Sequence, residues 1–123
     1  MESLSRSVWR TSKAGAIQRL KQLEELLEPL KSDEVQVDVK AVGLNFADIF
    51  ALTGLYSATP EGSFIPGLEY SGIVTHVGDD CKHFKVGDRV MAVSRFGGYA
   101  SKIQSKEPYL VLLPHDWSFS QGA

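Results

Sequence analysis

From Val35 to Ala41 the chain alternates strictly: Val35, Val37, Val39 and Ala41 are separated by Gln36, Asp38 and Lys40. Successive side chains of a strand point to opposite faces, so this stretch fits a β-strand with one face buried and one wet. Gly43 closes it. Further short β-rich pieces run from Gly72 to Val77, Asp88 to Val93, Tyr99 to Ile103 and Tyr109 to Leu113, with an opening strand over residues 4 to 10. The breaks between them fall at Gly78-Asp79-Asp80, Gly87, Gly97-Gly98 and Pro108. Short strands punctuated by glycine turns predict an all-β barrel or sandwich carrying one small helix. The Gly and Asp residues supply those turns before any function is assigned to them.

Two stretches follow a different period. Asn45 to Leu52 reads as a short helix with Phe46, Ile49 and Phe50 turned inward and Gly54 as its C-cap. Ile17, Leu20, Leu23, Leu26, Leu27 and Leu30 recur every three or four residues. By pattern alone they favour an amphipathic helix ended by Pro29. Residues 55 to 67 read as a surface loop, and residues 114 to 123 as a boundary or the beginning of something else.

A chain of 123 residues suits one domain, and any function that needs a second must find it elsewhere. Thirteen Lys and Arg against fifteen Asp and Glu, a net charge of -2, leave no basic stripe for nucleic acid. The one cysteine, Cys81, excludes an internal disulfide and suits a reducing, cytoplasmic setting. Cys81 and His83 lack a third ligand at workable spacing, His76 sits on a strand face and His115 follows Pro114 in a loop, so no metal site is expected. The start does not look like a signal peptide, and no run of about 18 apolar residues suggests a membrane span. Neither a Gly-x-Ser-x-Gly elbow nor a Gly-x-Gly-x-x-Gly fingerprint occurs, which argues against a serine hydrolase and against a complete dinucleotide site.

Four polar residues stand out. Asn45 and Asp48 lie three apart at a helix start, where both share one side and where either reads simply as a cap. Tyr56 sits in a flexible loop; its hydroxyl could donate to a developing oxyanion or merely face water. Glu69 opens a stretch that enters a strand, so its carboxylate must be solvated or paired.

The run Lys40-Ala41-Val42-Gly43-Leu44-Asn45-Phe46-Ala47-Asp48 resembles the strand-to-helix segment of the quinone oxidoreductase group of zinc-free medium-chain dehydrogenases/reductases. Gly54-Leu55-Tyr56, Pro66 to Val74, Gly78, Lys85 to Val90 and Gly98-Tyr99-Ala100 continue in that family's order over residues 33 to 123. The resemblance implies a GroES-like β-barrel with one or two short helices, residues 1 to 123 being the N-terminal domain. The nucleotide-binding Rossmann domain is then absent from this chain. The resemblance also turns the Ile17 to Leu27 segment from helix to strand. Zinc-dependent relatives carry a cysteine and a histidine where this chain has Asn45 and Leu68, so zinc is not implied.

By the same resemblance, Asn45 would be both catalytic and cofactor-binding, its amide facing nicotinamide and substrate. Tyr56 would line the pocket as a second catalytic residue, while Asp48 and Glu69 would support local geometry and the domain contact. The cofactor implied is NADPH, bound by a full-length parent and not tightly by this chain. The substrate would be a quinone or an α,β-unsaturated carbonyl, and the parent could form a homodimer. Whether the chain is itself an enzyme stays open: alone it would be inactive, and a stand-alone GroES-like binding or scaffold domain is the alternative.

Overall fold

The structure is a computed structural model and describes residues 4–57 and 59–123. Strand β1 (Ser5–Arg10) pairs antiparallel with β2 (Lys21–Leu26) in a two-stranded sheet, with a 3-10 turn at Ile17–Arg19 just before β2. Strands β3 (Glu34–Gly43), β4 (Glu69–Val77), β5 (Arg89–Val93), β6 (Lys102–Lys106) and β7 (Leu110–Leu112) form a five-stranded antiparallel sheet in the order β6-β3-β4-β5-β7. Helix α1 (Phe46–Thr53) joins β3 to the long loop before β4, and α2 (Phe119–Gly122) follows β7.

The central strands show why this sheet holds. Val35, Val37, Tyr70, Val74, Val90, Ala92, Ile103 and Leu110 make one buried cluster, fed from β3, β4, β5, β6 and β7. The alternation of β3 puts Val35 and Val37 into that cluster, but Gln36 is buried too. Its amide contacts His76 and Thr75 across the sheet, and register shifts at Gln36/Val37 and Val39/Ala41 interrupt the simple two-residue period.

The closed β-barrel implied by the resemblance does not form. The sheets are open: β6 pairs only with β3 and β7 only with β5, and the two stay edges although just Glu107–Tyr109 separates them. That connection is a 3-10 turn containing Pro108, which has no N–H to donate to a ladder. The small sheet is tied on through a bridge from Val8 to Ala100, with Trp9 and Ser101 adding backbone bonds to Tyr99 and Ser7 and Arg6 donating to the Lys102 carbonyl, while Thr11 just past β1 bridges to Phe64. The chain is therefore mainly β with two short helices, and its strand count does not entail closure.

Two local expectations change and one holds. Lys21–Leu26 of the leucine-rich stretch is a strand, as the resemblance implies, and not the helix that spacing alone favours; Leu23 and Leu26 are exposed on it. Helix α1 runs where expected, from Asn45 to a left-handed Gly54, but its inner face is Asp48, Ala51 and Leu52. Phe46, Ile49 and Phe50 face outward. Finally, β6 starts three residues later than Tyr99, because Tyr99 and Ser101 spend their N–H groups on Pro66 and Ser7 instead of on β3. Residues 114 to 123 turn back onto the domain: the Arg89 guanidinium lies 4.7 Å from the Phe119 ring centre, and Ser71 donates to the Phe119 carbonyl.

Candidate functional site

Strand β3 delivers Asn45 to the mouth of the sheet and α1 fixes it there. The Asn45 backbone N–H donates to the Asp48 carboxylate at 3.0 Å, one half of a capping box. Its side chain reaches across to β4, where Nδ2 donates to Glu69 Oε1 at 2.7 Å. Register explains the reach: Gly43 pairs with Glu69 and presents no side chain between them.

Asp48 is only 3% exposed, so its carboxylate needs compensation. Besides the Asn45 N–H it accepts from the Tyr99 hydroxyl at 2.6 Å, a residue 51 positions away. Burial, and then the adjoining Asp48 carboxylate, push the Tyr99 phenol above the usual tyrosine range, so it keeps its proton and stays a donor. In the sequence Tyr99 marks only the start of a strand and the middle of Gly98-Tyr99-Ala100; a pair this distant leaves no trace in local spacing.

Two clefts with no lining residue in common flank the Asn45–Glu69 hydrogen bond. Leu44, Asn45, Phe46, Ile49 and Tyr99 line one of about 330 Å³. Tyr56, Leu68, Glu69, Arg95 and Phe96 are among the walls of another, about 810 Å³. Asn45 and Tyr56 thus stand on different clefts, and the Asn45–Glu69 hydrogen bond is what joins them. A third cleft of about 550 Å³ shares Leu44 and Tyr99 and runs under Trp9, Leu20 and Val42. Arg95 is exposed beside Tyr56, on a turn pinned by Ser94 N–H to Leu68 and Gly97 N–H to Ile65.

Among the described residues no three His, Cys, Asp or Glu side chains gather where a metal ion could sit. Leu68, next to Glu69, has no donor atom to add. Among the same residues no helix is long and apolar enough to cross a membrane.

Residues 31–119 match the family described as alcohol dehydrogenase GroES-like domain. Quinone oxidoreductase-like protein 2 of Mus musculus is 37% identical over 128 residues, taking in 98% of this chain and 37% of that protein. The crystal structure of human synaptic vesicle membrane protein VAT-1 homolog-like protein aligns with a TM-score of 0.91 at 29% identity, over 97% of this chain and 38% of that one. Escherichia coli quinone oxidoreductase, solved in complex with NADPH, aligns with a TM-score of 0.87 at 34% identity, over 97% and 36% of the two chains. The chain spans 19% to 37% of the length of the curated relatives it matches.

Proposed function

Since the chain belongs to the alcohol dehydrogenase GroES-like domain family, on its zinc-independent, quinone-oxidoreductase-like side, we propose that it forms the substrate-side domain of a cytoplasmic NADPH-dependent reductase. In this reading residues 1 to 123 are the N-terminal domain of a longer polypeptide, and the Rossmann domain lies on another segment. The substrate is a quinone or an α,β-unsaturated carbonyl. The observation that carries the reading is a half-built site: two clefts flank a paired amide and carboxylate, Asn45 and Glu69, at a rim of bare hydrocarbon. Leu44 and Phe46 on that rim are 78% and 80% exposed. Apolar surface of this kind marks a face built to be covered.

The residues fit the nicotinamide end of NADPH and no more. Apolar walls with one amide suit a flat heteroaromatic ring carrying a carboxamide, and the chain has no strand–glycine turn–helix unit for a pyrophosphate. When bound, NADPH supplies the hydride. Asn45 orients the reacting groups, and the Tyr56 hydroxyl, on the larger cleft, donates to the substrate oxygen as charge develops there. Asp48 and Glu69 hold α1 and Asn45 in place. The domain that closes over the rim excludes water.

The test uses this chain joined to a nucleotide-binding domain of the same family. Asn45→Ala should lower NADPH-coupled quinone or enal turnover about a hundredfold with an unchanged circular dichroism spectrum. Steady-state kinetics equal to the parent's would remove Asn45 from the mechanism.

A further inference from the structure

Hydrogen-bond chemistry constrains Asn45 more tightly than its place on the cleft does. An ionised carboxylate only accepts, so the 2.7 Å contact with Glu69 Oε1 must be made by the amide nitrogen. On the helix side the Asp48 N–H is taken by the Asn45 backbone carbonyl at 3.0 Å, so the amide's orientation is set from β4. Flipping the amide would set its oxygen against the Glu69 carboxylate. Gly43 permits the arrangement: it faces Glu69 in the β3–β4 register, and a Cβ built there would lie 3.4 Å from both Glu69 Cβ and Glu69 Oε1.

We propose that Glu69 is a positioning residue that locks the Asn45 amide with its nitrogen toward β4, leaving the second Nδ2 hydrogen as the one donor the Asn45 side chain offers in the cleft. The group bound there is consequently a hydrogen-bond acceptor, of which a carbonyl oxygen is the chemical type. The inference rests on the reading of Asn45 given above and adds which atom of it works and what holds that atom.

The hydrogen bond is tested in this chain itself by the side-chain ¹⁵N–¹H resonances of Asn45. In the parent sequence one Nδ2 proton should be shifted downfield and slow to exchange. Glu69→Gln, which keeps an acceptor oxygen, should retain that signature, and Glu69→Leu should lose it while backbone amides of β4 stay in place. An unchanged signature in Glu69→Leu overturns the lock.

Function is tested in the joined reductase with a pair exchange. Asn45→Asp alone sets two carboxylates against each other, and N45D/E69Q together restore a hydrogen bond with donor and acceptor exchanged. The exchange should recover thermal stability but leave turnover at the level of Asn45→Ala, because the side chain at 45 no longer carries an N–H. Recovery of turnover by the exchange would show a structural pair only and overturn the donor role. If the signature depends on Glu69 while Asn45→Ala leaves turnover intact, the reading of Asn45 fails and takes the positioning role with it, though the hydrogen bond stands.

Discussion

The β3–β4 pair and helix α1 lie next to each other in the chain and are built on opposite plans. In the sheet, valines and Tyr70 fill the inside. In α1 the inside holds a carboxylate, Asp48, with Ala51 and Leu52, while Phe46, Ile49 and Phe50 face out. The sheet is stabilised chiefly by removing hydrocarbon from water on one face. The helix packs only its short Ala51 and Leu52 face against Phe64, adds its cap and the Tyr99–Asp48 bond, and leaves hydrocarbon on display. The exposed helix face also lines the smaller cleft of the candidate site, through Phe46 and Ile49.

Substitutions at the two regions should separate them by size of effect. The largest belongs to the sheet: a Cβ at Gly72 would sit 2.2 Å from the Asp38 carbonyl oxygen on β3. Gly72→Ala should cost about 3 kcal/mol or more in urea unfolding, since neither central backbone has room to move. At α1, Tyr99→Phe removes one of the two donors to Asp48 and should cost about 1.5 to 3 kcal/mol. A cost near zero would mean that Asp48 is satisfied without it.

Alkaline pH probes both regions together. Burial pushes the Tyr70 phenol in the sheet up to about 12 and also raises that of Tyr99 at the helix. Each keeps its proton in the folded state when the unfolded chain would have lost it. Their stabilisation is therefore complete below the unfolded value of roughly 10 and is lost as pH rises through the folded values. Melting temperature should fall above that point, and Tyr99→Phe should flatten part of the fall and leave the Tyr70 part. The smallest effect is expected from Phe46→Ser, within about 0.5 kcal/mol in the isolated chain. The same change should weaken activity in the joined reductase, where the rim is covered.

The same contrast explains what was legible in the sequence. The β3 alternation, the glycine-bounded strands and the two ends of α1 are local signals, and the chain forms those elements. Which stripe of α1 faces inward is not local. Phe46, Ile49 and Phe50 form the more apolar stripe, but the buried one is set by small Ala51 and by Tyr99, brought in from beyond β5. β2 misleads for a related reason: spacings of three and four record where leucines fall, not whether a partner layer exists to cover them, and on this strand Leu23 and Leu26 remain exposed. Closure was hidden as well, since strand number does not say whether β6 and β7 will pair. Of the candidate site, Asn45, Asp48, Tyr56 and Glu69 stood out as residues, and the structure brings the first, second and fourth into one hydrogen-bonded group with Tyr99. The separation of Tyr56 onto another cleft was beyond the reach of spacing.

The most direct test of a half-built site is NADPH oxidation measured three ways with a quinone and an enal: by this chain alone, by a family nucleotide-binding domain alone, and by the two joined in one polypeptide. Turnover only in the joined protein is the predicted result. Turnover by this chain alone, or none from a joined protein that folds and binds NADPH, would contradict it.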